Sequence, residues 1–289
     1  MFPRSLNDAI PFRNHGLIFG VYEITPEIAA EILKDNLCNR LLKETAIAKY
    51  ARDMESGSWW LNGEALVFSS SGRIINGQHR CHAVIRSGVP VDMCVVYGVS
   101  HECFNSMDTG VKRSFADVLA SKGEAECKAL AAAASLKYKQ VAGTLGDNSG
   151  RMAMSNSDGF EILARHPGLR DAVRCSRVFA TRGSSAITRT MAAWMIHELR
   201  NYEDREAVDN FFFGMRTGEN LSKGNPILAF RKRTAAHVAG ASRLSPVLVL
   251  ALAVKAWNAY SAGKTVTLLW YDRYGKGEEF PELITSIGK

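Results

Sequence analysis

The stretch RIINGQHRCHAVIRSG, Arg73 to Gly88, decides how the first part of the chain is read. Its opening residues make a short apolar strand, Gly77 interrupts it, and a helix runs on to Ser87 with Gly88 as its stop. A strand that ends on glycine and passes directly into a helix is a place to hold an anion. The first helical N–H groups lack intrahelical partners, and the aligned peptide dipoles put partial positive charge there. Gly77 admits close backbone approach. Arg80 offers a two-pronged fork for phosphate oxygens, and His79 can donate to an oxygen or carry a proton. Gln78 suits a base, a ribose or a water, and Asn76 shapes the turn. The pattern is neither a Walker loop nor a dinucleotide-binding fingerprint.

Working outward, the first 120 or so residues alternate strands and helices, as layered domains do. LIFGVYEI (Leu17 to Ile24) reads as a strand. TPEIAAEILKDN follows as a helix with Thr25 as N-cap and Pro26 in the first turn. A helix over Glu44–Glu55 carries one apolar stripe, Ile47, Tyr50, Ala51 and Met54, and Gly57 can end it. ALVFSSSGRII reads as a hairpin, VPVDMCVVYGV as a buried strand, and His101 to Ser106 as a short helix. From Glu124 onward the pattern turns helical. Helices are expected near Gly159–His166, Leu169–Phe179, Ser185–Arg200, Glu203–Gly214, Ile227–His237 and Pro246–Ala262, with one late strand over Thr265–Tyr271. Phe211 to Phe213 are expected in the core. The fold expected is α+β: a compact α/β domain over residues 1–122, then a mostly helical domain over 123–289.

Charge changes at the same place. Net charge is +7 over 289 residues; residues 1–122 hold 13 basic and 13 acidic residues, and residues 123–289 hold 23 and 16. A neutral half beside a basic half suggests that the second part holds a polyanion. Six scattered cysteines without a Cys-x-x-Cys pair imply reduced thiols and a cytoplasmic setting. The start, MFPRSLNDAIPF, lacks the pattern of a signal peptide. The longest apolar run, Val247 to Val254, is far short of the roughly 20 residues of a membrane span. His197-Glu198 is not a metalloprotease helix, because Asn201 stands where a second histidine belongs.

NGQHRCHAV after a short strand resembles the Asp-Gly-Gln-His-Arg signature of one branch of the ParB/sulfiredoxin superfamily. NRLLKETAIAKYARDMESGSWWLNGEALVF and DTGVKRSFADVL are also similar to ParB-like proteins common in bacteriophages. The resemblance covers residues 20–120. It implies a compact domain whose glycine-containing motif binds a nucleoside triphosphate through Asn76, Gly77, Gln78, His79 and Arg80, with Asn39 and Arg40 lining the nucleotide. Gln78 stands where sulfiredoxins place their nucleophilic cysteine, so peroxiredoxin repair is excluded. Cys81 lies past the arginine and does not replace it, and Asn76 replaces the family's usual aspartate.

A second polar cluster, MDTGVKRSFADVL, supplies Asp108, Lys112 and Arg113. Asp108 is a candidate general base or weak Mg²⁺ ligand, and the two cations are candidates for phosphate or DNA. Ser114 with Asp117 reads as a capped helix start. Glu64 and Glu23 are weaker acid candidates. Six arginines between Arg165 and Arg189 face one acid, Asp171. Arg170, Arg174 and Arg177 repeat on one helix face, and Arg231, Lys232 and Arg233 add a second basic run. Together these readings give a nucleotide-binding, DNA-associated protein of phage type, an NTPase or phosphotransferase acting on or near DNA. Its candidate catalytic residues are His79 and Asp108, and its cofactor is ATP or CTP with Mg²⁺. Alternatives are a non-enzymatic nucleotide-switched DNA-binding protein and a ParB-like nuclease. Expected partners are nucleotide and DNA, not membrane, with a homodimer left open.

Overall fold

A computed structural model describes residues 16–34, 36, 41–100, 102–103, 113–147, 153–179, 185–272 and 277–286. The described residues fall into two compact units, one within Met1–Lys112 with Arg151–Ala153, the other within Arg113–Gly150 with Met154–Lys289. The class is mixed α+β.

The first unit runs β1 (Ile18–Ile24), α1 (Pro26–Lys34), α2 (Glu44–Glu55), β2 (Leu66–Ser69), β3 (Ile74–Asn76), α3 (Gln78–Ser87) and β4 (Val91–Val99). Its sheet has the order β1-β4-β2-β3. β4 is antiparallel to β1 in an unbroken seven-pair register and parallel to β2; β2 and β3 form the expected hairpin. The Thr25 hydroxyl accepts from the Ile28 amide, so α1 starts where the sequence places it. α2 buries Ile47, Ala51 and Met54, the predicted stripe, and α3 packs against both α1 and α2. These helices cover the sheet face that carries Ile24, Leu66, Val91 and Met93. β4 was expected to be buried throughout. Instead its burial alternates, and Asp92 points to solvent, because helices cover only one face of the sheet.

The second unit is helical: α4 (Phe115–Ser121), α5 (Cys127–Val141), α6 (Asn156–Arg165), α7 (Leu169–Cys175), α8 (Arg189–Glu198), α9 (Arg205–Thr217), α10 (Pro226–Val238) and α11 (Pro246–Ser261). Six of these helices start on a side-chain cap, from Ser114, Ser155, Thr188, Asp204, Asn225 and Ser245. The Ser155–Asp158 box starts α6 three residues before the expected Gly159, and Thr188 delays α8 to Arg189. Trp194, Phe211, Phe230 and Trp257 centre one core; Phe213, at 42% exposed, leaves it. Leu119 of α4 joins Leu130 and Leu163 in a second core, so residues 113–122 belong with the second unit although the charge shift comes after them.

Thr265–Tyr271 was expected to form a strand and does not. Leu269 and Tyr271 alternate into the core, but there is no neighbouring strand to ladder with. The backbone contact from Val266 to Gly224 is a single hydrogen bond of 2.8 Å. No helix among the described residues is long and apolar enough to cross a membrane.

Candidate functional site at the amino end of helix α3

Gly77 sits at φ 113°, in the left-handed region, and is the N-cap of α3 without a side-chain cap. An added Cβ would come 2.3 Å from Cδ2 of the buried Leu66 and 3.3 Å from Nη2 of Arg80. Only glycine fits that position. Its carbonyl accepts from the Arg80 and Cys81 amides at 2.9 and 3.1 Å, which closes the first turn.

The three residues that follow point inward. Gln78, His79 and Arg80 are 3%, 6% and 8% exposed, which is unusual for a glutamine and an arginine. Each meets a different stretch of backbone or side chain. Asn36 Nδ2 donates to Gln78 Oε1 at 2.9 Å, and the Lys43 amide donates to His79 Nε2 at 3.0 Å. Arg80 donates through Nη1 to the Glu64 carbonyl and through Nη2 to the Ala65 carbonyl, the latter at 2.7 Å. The fork expected to grip phosphate oxygens therefore closes on two carbonyls at the approach to β2. Gln78 and His79 hold Asn36 and Lys43, the two ends of the stretch that contains Asn39 and Arg40. Those two residues lie outside the described residues.

Cys81 is fully buried, and burial pushes its thiol from 9.0 up to about 12, with Arg80 offsetting only part of the rise. It is no nucleophile at neutral pH, in keeping with the reading that it does not stand in for the sulfiredoxin cysteine. Glu23 and Glu64 are exposed.

No protein-family model, curated protein or solved structure matches this chain.

Asp108 and Lys112 lie outside the described residues. Arg113 is exposed immediately before α4. Ser114 and Asp117 form the expected capping box, and the Ser114 hydroxyl and amide hold the Asp117 carboxyl below its usual range. Among the described residues no group of three His, Cys, Asp or Glu side chains is placed to hold a metal ion.

In the second unit the arginine stripe is paired. Arg170 places its fork on Glu124, with Nε 3.1 Å from both carboxylate oxygens. Arg174 pairs with Asp171, Arg177 with Glu126 at 2.8 Å, and Arg189 with the other oxygen of Glu126. Glu124 and Glu126 precede α5, about fifty residues away in sequence, so helical periodicity alone could not reveal them. Arg231 donates to the carbonyls of Met215 and Arg216 and so closes the end of α9. Lys232 is exposed, and Arg233 lies 5.6 Å from the ring centroid of the half-exposed Trp270.

One polar cluster escaped the sequence reading. Lys137 Nζ donates to Glu198 Oε1 at 2.9 Å and to Gln140 Oε1 at 3.0 Å, Gln140 Nε2 donates to Glu198 Oε2, and Trp194 Nε1 donates to Gln140 Oε1. Beside it, His197 is 1% exposed and its Nδ1 has no hydrogen-bond partner. Burial and then the Arg200 charge hold its pKa down to about 4. The available signal was His197-Glu198 within an otherwise apolar helix, a pattern tested only against metalloproteases.

Proposed function

We propose that this chain is a ParB/sulfiredoxin-like protein of phage type. Its first unit binds a nucleoside triphosphate at the amino end of α3, and its second unit contacts DNA. In this reading it acts as an NTPase or phosphotransferase on or near DNA. The observation that carries the proposal is the gathering of separate chain segments around Gly77 by the first turn of α3. Asn36, Lys43 and Glu64-Ala65 are all tied to Gln78, His79 and Arg80. This ties both ends of the stretch bearing Asn39 and Arg40 to a helix amino end, where backbone N–H groups and the dipole suit phosphate.

The role of Arg80 changes from the sequence expectation. It holds the wall of the site, and the anion is met by backbone N–H groups and by Asn39 and Arg40. ATP or CTP with Mg²⁺ remains the proposed ligand, with Asp108 the proposed contact to the ion. DNA contact rests on the positive balance of residues 123–289 and on exposed Lys232, since Arg170, Arg174 and Arg177 already face carboxylates.

The burial of Gln78, His79 and Arg80 favours a second reading, in which the motif is a structural tie within a non-enzymatic DNA-binding protein. Thermal shift and calorimetry with ATP, CTP, GTP and inorganic phosphate, each with and without Mg²⁺, separate the two. A triphosphate at a hundred times its Kd should add about 2.7 kcal/mol of stability, and Arg40→Ala should abolish the shift. No shift with any triphosphate supports the structural tie. Binding without turnover, with or without DNA, supports a nucleotide-operated switch, and Mg²⁺-dependent nicking of plasmid supports a nuclease.

A further inference from the structure

We infer that β1 is the pairing edge of a homodimer, in which the strand adds to the same strand of a second copy of this chain. β1 is the outermost strand of the sheet, bonded to β4 on one side and, among the described residues, to no strand on the other. Ile18, Phe19, Val21 and Tyr22 are 58%, 56%, 54% and 51% exposed. The register with β4 places Ile18 and Tyr22 on the sheet face shared with the buried Ile24, and Phe19 and Val21 on the opposite face. A helix or small molecule lying on one face covers only half of this set. A strand running along the edge covers all four.

Sheet proteins protect an open edge with lysine, proline, a bulge or a very short strand. β1 has none of these. It is seven residues long, its pairing with β4 is unbroken, and Glu23 is its one charged residue. Such an edge is built to be paired. A two-fold axis at Val21 sets Phe19 against Glu23 of the second copy, Gly20 against Tyr22 and Ile18 against Ile24, so no like charges meet and a small residue faces a large one.

The apolar surface continues beside the strand. Cys94, the register partner of Val21, donates through its thiol to the Asn62 carbonyl at 3.3 Å, so the Asn62 segment reaches this face. Trp60 and Leu61, just before it, are 79% and 50% exposed. Six half-exposed or more exposed side chains at roughly 100 Å² each give on the order of 600 Å² per copy, near the roughly 800 Å² that each partner contributes to a stable interface.

The test is the mass of the full chain in solution by sedimentation velocity between 1 and about 100 μM protein, a span across which a standard interface assembles. Wild type should reach twice 31.7 kDa, while Val21→Lys and Phe19→Lys should remain at the monomer mass with unchanged far-UV circular dichroism. Both positions face solvent in a single chain, so the variants fold. A wild type that stays monomeric throughout, or lysine variants that still dimerise, overturns the inference. A monomeric wild type whose Tm falls on Val21→Lys also overturns it, by showing that the strand is covered by its own chain. Nucleotide or DNA binding does not enter the measurement, so its failure and the failure of the proposed function are separate results.

Discussion

The Lys43 backbone amide donates to Nε2 of His79 at 3.0 Å, joining positions 36 residues apart. An imidazole nitrogen accepts only when it carries no proton, so this bond requires the tautomer with the proton on Nδ1. Two-bond ¹⁵N–¹H spectra of the imidazoles should show His79 in that form at neutral pH. His79→Ala leaves the Lys43 amide unmet and should cost about 1–3 kcal/mol in urea unfolding.

Arg80 bonds two carbonyls from a buried position, so its removal is first a stability change. Arg80→Ala should destabilise the unliganded protein by about 3 kcal/mol, read from denaturant midpoints. Arg80→Lys keeps the charge but cannot reproduce the planar fork, and it should recover only part of that loss. Nucleotide affinity measured on Arg80→Ala therefore reports on the wall as well as on the ligand. An Arg80→Ala protein with wild-type stability would remove the clamp from the account.

Gly77 combines a left-handed backbone with a Cβ position blocked by Leu66, itself fully buried. Gly77→Ala should cost about 2–4 kcal/mol, from backbone strain together with overpacking. Gly77→Ala with Leu66→Ala should recover part of the overpacking cost and none of the backbone cost. A double-mutant cycle by chemical denaturation reads that coupling.

His197 gives a pH dependence with a definite sign. Its ordinary value is 6.5 and burial lowers it to about 4 in the folded protein. Between those values the unfolded chain takes up a proton that the folded chain refuses, so stability falls as pH drops from 6.5 toward 4. The loss from this group approaches about 3 kcal/mol below pH 4. Its neighbours are Arg200, Glu198, Lys137 and His166, so the slope belongs to a cluster. His197→Asn should flatten the stability profile between pH 6.5 and 4, measured by urea titration at half-unit steps.

Paired arginines should contribute less to DNA binding than unpaired cations. Arg170 spends its fork on Glu124, whereas Lys232 is exposed on α10. Lys232→Ala should lower affinity for duplex DNA and reduce the slope of log affinity against log salt by about 1. Arg170→Ala should change that slope little. Fluorescence anisotropy across a salt series measures both.

Local signals in the sequence determined most of the elements. Helix caps, the α2 stripe, the hairpin at Ser70-Ser71-Gly72 and the strand–glycine–helix turn at Gly77 depend on neighbours within a few residues, and the structure places them where those signals lie. The tertiary structure decided what the polar side chains do. Whether Arg80 meets a phosphate or two carbonyls depends on Glu64 and Ala65, and whether Arg170 meets DNA or a carboxylate depends on Glu124, 46 residues away. It also decided that Thr265–Tyr271 is not a strand, since a strand exists only beside another strand. Short-range periodicity fixes backbone conformation, but the partner of a charged or hydrogen-bonding group is a matter of which distant segments are packed together, and no spacing along the chain records that.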